Sequence, residues 1–143
     1  MTESKYIWMD GEFTPWNEAK VHVLSHTLHY GNGAIEGTKA YKTVDGRCAI
    51  FKLNEHTQRL LNSSKMTLMN VPFSLEELNK AQVELLQKNE LTNGAYIRPL
   101  VYLGYGVMGL YHKDAPVKVS VSAWEWGAYL GEEGLKKGVR VKI

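Results

Sequence analysis

The sequence predicts an α+β fold in which a mainly antiparallel sheet packs against two main helices. Two Asp-Gly pairs, Asp10-Gly11 and Asp45-Gly46, each separate two short apolar segments. Asp-Gly tolerates the positive φ angles of tight turns, so both pairs indicate antiparallel hairpins joined by two-residue turns. Two helical patterns then follow in succession instead of alternating with strands, which favours α+β over a βαβ arrangement.

The hairpins are expected to pair residues 6–9 with 12–14, and 38–44 with 47–52. Asn54 can then cap a helix that runs to about Met66. One face of this helix carries residues at helical spacing. They are Leu53, Thr57, Leu60, Leu61 and Ser64.

A second helix is predicted to begin at Ser74, because Ser74 and Glu77 have the spacing of a capping box. This helix should end before Asn93-Gly94. Its inward stripe is expected to contain Leu75, Leu78, Gln82, Leu85 and Leu86.

Strands are predicted over 96–103 and 117–123, with a connector over 127–134 and the start of a further strand over 139–143. In the first of these strands Tyr96 and Arg98 point to one face, because side chains alternate along a strand. Pro99 cannot donate a ladder hydrogen bond, so we expect this segment to lie at an edge or an end of the sheet. The cation of Arg98 then needs an anion, either in a structural ion pair or in a carboxylate ligand, and both interpretations stay open.

Composition excludes several classes of protein. The chain has 143 residues, 44% hydrophobic and 22% charged, which is typical of a folded domain. A net charge of +2 with scattered basic residues gives no basis for nucleic-acid binding. No stretch approaches the length of a membrane span, no signal-peptide core is present, and the single cysteine, Cys48, fits a reducing compartment. We therefore expect a cytoplasmic protein that binds neither nucleic acid nor membranes.

Three histidines, His22, His26 and His29, have a spacing that would cluster them on a helix. A metal site would also want a carboxylate or thiolate nearby, whereas the neighbouring residues are apolar. We expect these side chains to pack, and we predict no metal site.

The glycine-rich segment 31–37 does not match a dinucleotide-binding loop in its spacing. Its glycines indicate either a tight structural turn or a close approach of the backbone to a ligand, with Tyr30, Ile35 and Gly37 lining a pocket.

Arg59 is either a solvated helix arginine or a phosphate ligand. Trp124, Trp126 and Tyr129 place three large aromatic side chains within six residues, which suits an interface or a pocket wall.

Further short motifs occur in order along the chain. They are Tyr6-Ile7-Trp8, Ala19-Lys20-Val21-His22-Val23, Ser25-His26, Leu28-His29-Tyr30-Gly31, Glu36-Gly37, Glu55-His56, Gln58-Arg59-Leu60, Ala95-Tyr96-Ile97-Arg98-Pro99-Leu100 and Trp126-Gly127-Ala128-Tyr129-Leu130-Gly131. Together they resemble the N-terminal part of the bacterial branched-chain amino acid aminotransferases, which are fold-type IV pyridoxal 5′-phosphate enzymes. The resemblance implies transfer of an amino group between leucine, isoleucine or valine and 2-oxoglutarate or glutamate.

The resemblance also implies roles for individual residues. Arg59 would bind the cofactor phosphate, Arg98 the distal carboxylate of glutamate or 2-oxoglutarate, and Tyr96 would orient the α-carboxylate. The aliphatic side chain would be surrounded by Ile35, Trp126 and Tyr129. Tyr30 and Leu110 would reach the site of the neighbouring subunit in a homodimer or higher oligomer.

Ile35 departs from the family pattern, because the family usually carries Phe at this position, and the change would reshape the pocket.

The resemblance further implies a small N-terminal domain at 1–126, a connector at 127–136 and the first strand of a missing C-terminal domain at 137–143. The lysine that forms the Schiff base would lie beyond Ile143, so no catalytic residue is assigned. The chain alone is then expected to be inactive and to bind pyridoxal phosphate weakly or not at all. The alternatives are an isolated foldable module and a dicarboxylate-binding domain that uses Arg98 without catalysis.

Overall fold

The computed structural model describes residues 2–126, 131–138 and 140–142. Its elements in chain order are β1 (Tyr6–Met9), β2 (Glu12–Pro15), a 3-10 turn (Trp16–Glu18), α1 (His26–Tyr30), β3 (Gly33–Ile35), β4 (Thr38–Lys42), β5 (Cys48–Ile50), α2 (Leu53–Met66), α3 (Leu75–Lys88), β6 (Gly94–Leu103), β7 (Val117–Trp124) and α4 (Gly131–Lys137). The strands of this described part form one seven-stranded sheet in the order β2-β1-β7-β6-β4-β5, with β3 also paired to β6. All of these pairs are antiparallel, so the predicted α+β class is confirmed.

Both predicted hairpins form, but only the first has a two-residue turn. Asp10 and Gly11 have φ angles of 50° and 104° and join β1 directly to β2. In the second hairpin the amide of Thr43 donates to the carbonyl of Arg47 at 2.8 Å, which closes a longer loop. The carboxylate of Asp45 is engaged inside this loop, where it accepts from the Thr43 hydroxyl and from Arg47 Nε.

The two long helices follow the predicted segments, with one error at a helix start. Helix α2 begins at Leu53, and its N-cap is Lys52 rather than Asn54. The Asn54 side chain instead accepts a 2.6 Å hydrogen bond from Asn79 and so links α2 to α3. The capping box of Ser74 and Glu77 at the start of α3 is confirmed, with bonds of 3.2 and 2.7 Å.

The prediction that Pro99 marks an edge or end of the sheet is wrong. Strand β6 is interior, with β7 on one side and both β3 and β4 on the other. The Pro99 carbonyl accepts from the Glu36 amide at 3.1 Å. Because the N–H and C=O of one strand residue face the same neighbour, the missing donor of Pro99 faces the break between β3 and β4. No ladder hydrogen bond is lost there.

The two faces of the sheet have different surroundings. On one face Ile97, Val101 and Val119 are completely buried in a core shared with Leu60 of α2 and Leu85 of α3. Residues at the alternate positions of β6 and β7 point to the opposite face, where many stay partly exposed. This open face carries Tyr96 and Arg98.

A helix begins within the expected connector, and the described part of the expected last strand is irregular. Helix α4 occupies 131–137, and residues 140–142 have no regular secondary structure. The domain limits at 126 and 136 stay predictions. Tyr129 lies outside the described residues.

Candidate functional site

Arg98 and Tyr96 form a hydrogen-bonded pair on the open face of β6. The guanidinium donates to the Tyr96 phenol oxygen from Nε at 3.0 Å and from Nη2 at 2.6 Å. Its central carbon lies 5.1 Å from the centre of the phenol ring. A guanidinium has five N–H donors, so this arrangement leaves three for another partner.

No carboxylate within the described part of the chain forms an ion pair with Arg98. The side chain is half-buried, so its charge is partly removed from water without a fixed counter-charge among those residues. Of the two interpretations of Arg98, this geometry favours a site for the carboxylate of a ligand.

Gly37 lies directly beneath the Tyr96 phenol. A Cβ atom at residue 37 would overlap the phenol oxygen and would lie 3.1 Å from the adjoining ring carbon. The φ angle of Gly37 is not in the left-handed region, so space rather than backbone conformation requires glycine here. The glycine therefore sets how closely Tyr96 approaches the chain between β3 and β4.

Aromatic side chains pack against Tyr96, and an aliphatic side chain lies on the same face of the sheet. The ring of Tyr96 lies 4.7 Å from that of Trp126 at an angle of 90°, and 5.2 Å from that of Trp124. Ile35 stands opposite Leu100 in the β3–β6 pair and is 56% exposed. The open face thus combines a cation with apolar walls.

Arg59 projects from α2 and is held by a buried carboxylate. Its Nε and Nη2 donate to the two oxygens of Glu36 at 2.5 and 2.8 Å. His56 donates from Nδ1 to the same carboxylate at 2.9 Å. The Glu36 side chain is 6% exposed, whereas that of Arg59 is 65% exposed. Nη1 of Arg59 keeps both of its donors for an anion from solvent.

The charge state of Glu36 follows from these contacts. Burial alone would raise the pKa of the Glu36 carboxyl, but the hydrogen bonds and charges of Arg59 and His56 outweigh it and lower that pKa. The same contact raises the pKa of Arg59. Glu36 therefore stays ionised and keeps Arg59 in one orientation.

Sequence reasoning missed Glu36 as part of the site. A signal was present, since a carboxylate in a glycine-rich and otherwise uncharged segment needs a cationic partner. The partner could not be identified from spacing, because Glu36 and Arg59 are 23 residues apart and meet only when α2 packs beside β3.

Tyr30 and Leu110 form a second group around the loop after β6. The Tyr30 hydroxyl accepts from the Gly109 amide at 3.0 Å. Leu110, the next residue, is 86% exposed.

The three histidines do not share a helix, because α1 begins only at His26. The ring of His22 packs on that of Tyr105 with 4.2 Å between centres, and His29 Nε2 donates to the carbonyl of Val23 at 2.9 Å. The described residues contain no group of three or more potential ligands placed to hold a metal ion. In that part of the chain no helix is long and apolar enough to cross a bilayer.

The structure thus brings together Tyr96, Arg98, Gly37 and Trp126, with Ile35 on the same open face. Arg59 joins this group through Glu36, the residue before Gly37. The second group, at Gly109, lies beyond the far end of β6.

The open face of the sheet and its two arginines describe a candidate binding site. Comparison with known protein families shows the class of protein to which the chain belongs. Residues 33–142 match the family described as amino-transferase class IV, and the chain belongs to that family. The predicted resemblance to these enzymes is confirmed.

Within the family, the chain is similar to branched-chain-amino-acid aminotransferases. It is 47% identical over 136 residues to the Pseudomonas aeruginosa protein, a match that covers 95% of this chain and 44% of that protein. The crystal structure of the Escherichia coli enzyme superposes with a TM-score of 0.88 at 42% identity, covering 95% of this chain and 44% of that one. The Thermoproteus uzoniensis enzyme with norvaline superposes with a TM-score of 0.85 at 37% identity, covering 90% and 43%. The chain therefore spans less than half the length of these relatives.

A further solved relative contains a bound small molecule. This branched-chain amino acid aminotransferase is complexed with N-(5′-phosphopyridoxyl)-L-glutamate and is 45% identical to the chain. It superposes with a TM-score of 0.83 and covers 91% of this chain and 43% of that one.

Proposed function

We propose that this chain forms the substrate-side wall of an aminotransferase site that exchanges amino groups between leucine, isoleucine or valine and 2-oxoglutarate. The observation that carries the proposal is the half-buried guanidinium of Arg98, which donates to the phenol of Tyr96, a ring that packs in turn against Trp126. Such a site must accept an uncharged aliphatic side chain from one substrate and a γ-carboxylate from the other. A cation at the rim of an apolar pocket serves both.

Arg98 binds the distal carboxylate of 2-oxoglutarate or glutamate in this proposal. Its three remaining N–H groups permit a bidentate contact, which is the strongest geometry for a carboxylate. Tyr96 accepts two of the other N–H groups and so keeps its own hydroxyl proton. That proton can be donated to the α-carboxylate of the substrate.

The apolar walls set the preference for aliphatic side chains. Ile35 and Trp126 supply the walls among the described residues, and Tyr129 is assigned to the same pocket by the family resemblance. Apolar contacts discriminate only about 1 to 3 kcal/mol per methylene, so all three branched-chain amino acids are accepted. Ile35 is smaller than the Phe usual in the family and leaves more room beside Leu100.

Arg59 is proposed to hold the phosphate of pyridoxal 5′-phosphate, the group whose phosphopyridoxyl derivative is present in the glutamate complex of the solved relative. The side chain fits this role, since its free Nη1 donors reach solvent while Glu36 fixes the other side of the guanidinium. When bound, the cofactor supplies an aldehyde carbon that takes up the amino group and a ring that accepts electrons released at Cα. The buried Glu36 keeps Arg59 oriented toward the phosphate throughout.

The remaining parts of the site are proposed to come from outside these 143 residues. In this proposal residues 1–126 form a small domain, 127–136 connect it to a larger one, and a lysine beyond Ile143 anchors the cofactor. The chain alone is then inactive and binds pyridoxal phosphate weakly or not at all. The full protein is proposed to form a homodimer in which Tyr30 and Leu110 of one subunit reach the substrate site of the other. Its proposed location is the cytoplasm.

A chimera tests this proposal. This chain replaces the aligned residues of the Pseudomonas aeruginosa relative, to which it is 47% identical. The chimera is expected to convert leucine and 2-oxoglutarate to 4-methyl-2-oxopentanoate and glutamate. Arg98→Met in the chimera should lower kcat/KM for 2-oxoglutarate about 10- to 100-fold, the value of a charge-assisted contact, and change that for 4-methyl-2-oxopentanoate much less. Arg47→Met, at an exposed arginine of the β4–β5 loop, is the matched control.

A chimera that folds and binds cofactor but transfers no amino group would contradict the proposal. A dicarboxylate-binding domain without catalysis is the second candidate, because Arg98 is oriented by Tyr96 within this chain itself. Calorimetry separates the two: micromolar binding of 2-oxoglutarate to the chain alone, with an inactive chimera, would support the binding domain.

A further inference from the structure

Gly109 is held at both of its backbone polar atoms by side chains of the short helix α1. Its amide donates to the Tyr30 hydroxyl at 3.0 Å, and its carbonyl accepts from His26 Nε2 at 2.8 Å. A carbonyl can only accept, so Nε2 of His26 carries the ring proton. We call this arrangement of His26, Tyr30 and Gly109 the Gly109 clamp.

The two side chains of the clamp support each other. His26 and Tyr30 are four residues apart and therefore lie on one face of α1. Their ring centres are 4.5 Å apart. His26 is 1% exposed, so its ring has little freedom to move.

Helix α1 is itself fixed to the end of β6. The Leu103 amide donates to the Thr27 hydroxyl at 2.8 Å, and the His26 amide donates to the Gly104 carbonyl at 3.1 Å. The clamp thus joins the loop that follows β6 to the last residues of the strand.

The polar ring of His26 at a buried position needs a physical explanation. His26 Nδ1 is buried and has no hydrogen-bond partner within the described residues. An apolar ring would fill the same space without leaving a polar atom unpaired, which is unfavourable in a protein interior. The bond from Nε2 to Gly109 is the contact that an apolar ring could not make.

The loop held by the clamp would not keep its shape by itself. Gly106 and Gly109 have φ angles of 139° and 106°, which are open to glycine and unusual for other residues. The loop nevertheless presents large apolar side chains to solvent, with Met108 48% and Leu110 86% exposed. An exposed apolar side chain on a flexible backbone contributes little binding free energy, because ordering the backbone on contact costs conformational entropy. Fixing its position beforehand removes that cost.

We propose that His26 and Tyr30 are positioning residues that fix this loop against the sheet, so that Leu110 is presented as a preformed apolar contact. The identity of what Leu110 contacts, the substrate side chain at a neighbouring subunit's site, rests on the proposed function. The clamp itself depends only on contacts within this chain.

Amide hydrogen exchange measured by NMR on this chain tests the clamp. Tyr30→Phe removes the acceptor but keeps the ring, and should speed exchange at the Gly109 amide about fivefold to tenfold, the effect of one net hydrogen bond. His26→Phe should speed it similarly, while His26→Gln, which keeps an N–H donor, should restore part of the protection. Tyr41→Phe, at an exposed tyrosine of β4, should leave Gly109 unchanged.

Three results would each overturn the proposal. The first is an unchanged Gly109 exchange rate in Tyr30→Phe, and the second is equal Gly109 rates in His26→Phe and His26→Gln. The third is equally faster exchange at the core amides of Ile97 and Val101 in Tyr30→Phe, which would assign the hydroxyl to the stability of the whole fold. The exchange experiment does not measure amino-group transfer. The clamp can therefore be disproved without affecting the proposed function, and an inactive chimera would not disprove the clamp.

Discussion

The phenol oxygen of Tyr96 lies so close to the Cα atom of Gly37 that residue 37 has no room for a methyl group. The same phenol oxygen accepts two hydrogen bonds from Arg98. The absence of a side chain at Gly37, between β3 and β4, therefore sets the position of the Arg98 cation on β6.

Gly37→Ala should displace Tyr96 and lower the free energy of unfolding by about 1 to 3 kcal/mol, the usual effect of overpacking. Because Tyr96 packs against Trp124 and Trp126, the near-ultraviolet circular dichroism of this aromatic cluster should change as well. Urea denaturation and the dichroism spectrum measure the two effects.

Gly104→Ala is the matched control for that substitution. A Cβ atom there would lie 2.8 Å from Cγ of Lys118, so this substitution also overpacks its surroundings, but at a position far from the aromatic cluster along β6. The aromatic spectrum of Gly104→Ala should therefore stay unchanged, and an unchanged spectrum for Gly37→Ala would disprove the coupling.

Tyr96→Phe should keep the ring contacts and remove the oxygen that orients Arg98. The guanidinium would then sample several orientations, and affinity for 2-oxoglutarate should fall about tenfold, as expected for a lost hydrogen bond to a charged group. NMR titration measures the affinity for 2-oxoglutarate, and relaxation of the Arg98 Nε–H group measures the mobility of the guanidinium. Tyr102→Phe changes another tyrosine on the same face of β6 and should have little effect on either quantity.

The Glu36 carboxylate should make stability depend on pH. In the folded protein the pKa of Glu36 is lower than its ordinary value of 4.5. In acid the folded state therefore binds fewer protons than the unfolded state. The resulting stabilisation is present above pH 4.5 and is lost as the pH falls through the folded pKa. Glu36→Gln should therefore flatten the acid side of a plot of thermal midpoint against pH.

Glu55→Gln is the comparison for this pH series. The Glu55 carboxylate pairs with Lys52 in solvent, with 59% of its side chain exposed, and exposed pairs contribute little. Equal flattening by the two substitutions would show that the buried contacts of Glu36 add nothing.

Arg59→Gln should weaken binding of phosphate-bearing ligands to the chain. The free Nη1 donors of Arg59 are lost, whereas Glu36 keeps its contact with His56. Phosphorus NMR with pyridoxamine phosphate and with inorganic phosphate measures the change. Arg47→Gln removes another exposed positive charge, which pairs with Asp45 instead of Glu36, so an equal loss in both variants would indicate general attraction of anions and contradict a specific site.

Local sequence signals predict much of the fold and fail where tertiary contacts decide. The Asp10-Gly11 turn and the capping box of Ser74 and Glu77 form as predicted because each depends on residues close together in the chain. The prediction for Pro99 is wrong, since nothing near it shows that β3 and β4 leave a break opposite its missing N–H. The side chain of Asn54 could serve as a cap, but α3 supplies another partner in Asn79.

The candidate site is predictable in part for the same reason. The alternation of Tyr96 and Arg98 on one face of a strand can be deduced from spacing, and their hydrogen bonds follow from it. The contacts of Arg59 with Glu36 and of His26 with Gly109 join residues 23 and 83 positions apart, which no local pattern indicates. The need for glycine at residue 37 is visible only when Tyr96 is in place.

The role of Arg98 as the carboxylate receptor is tested most directly by titrating this chain with 2-oxoglutarate while recording NMR spectra. Saturable shifts centred on Tyr96, Arg98 and Trp126 are expected, with a dissociation constant of about a millimolar, as for a weak fragment-sized ligand. In Arg98→Met these shifts should be lost, while those caused by 4-methyl-2-oxopentanoate should persist. Equal affinity of the variant for 2-oxoglutarate, or shifts that map away from β6, would contradict this role.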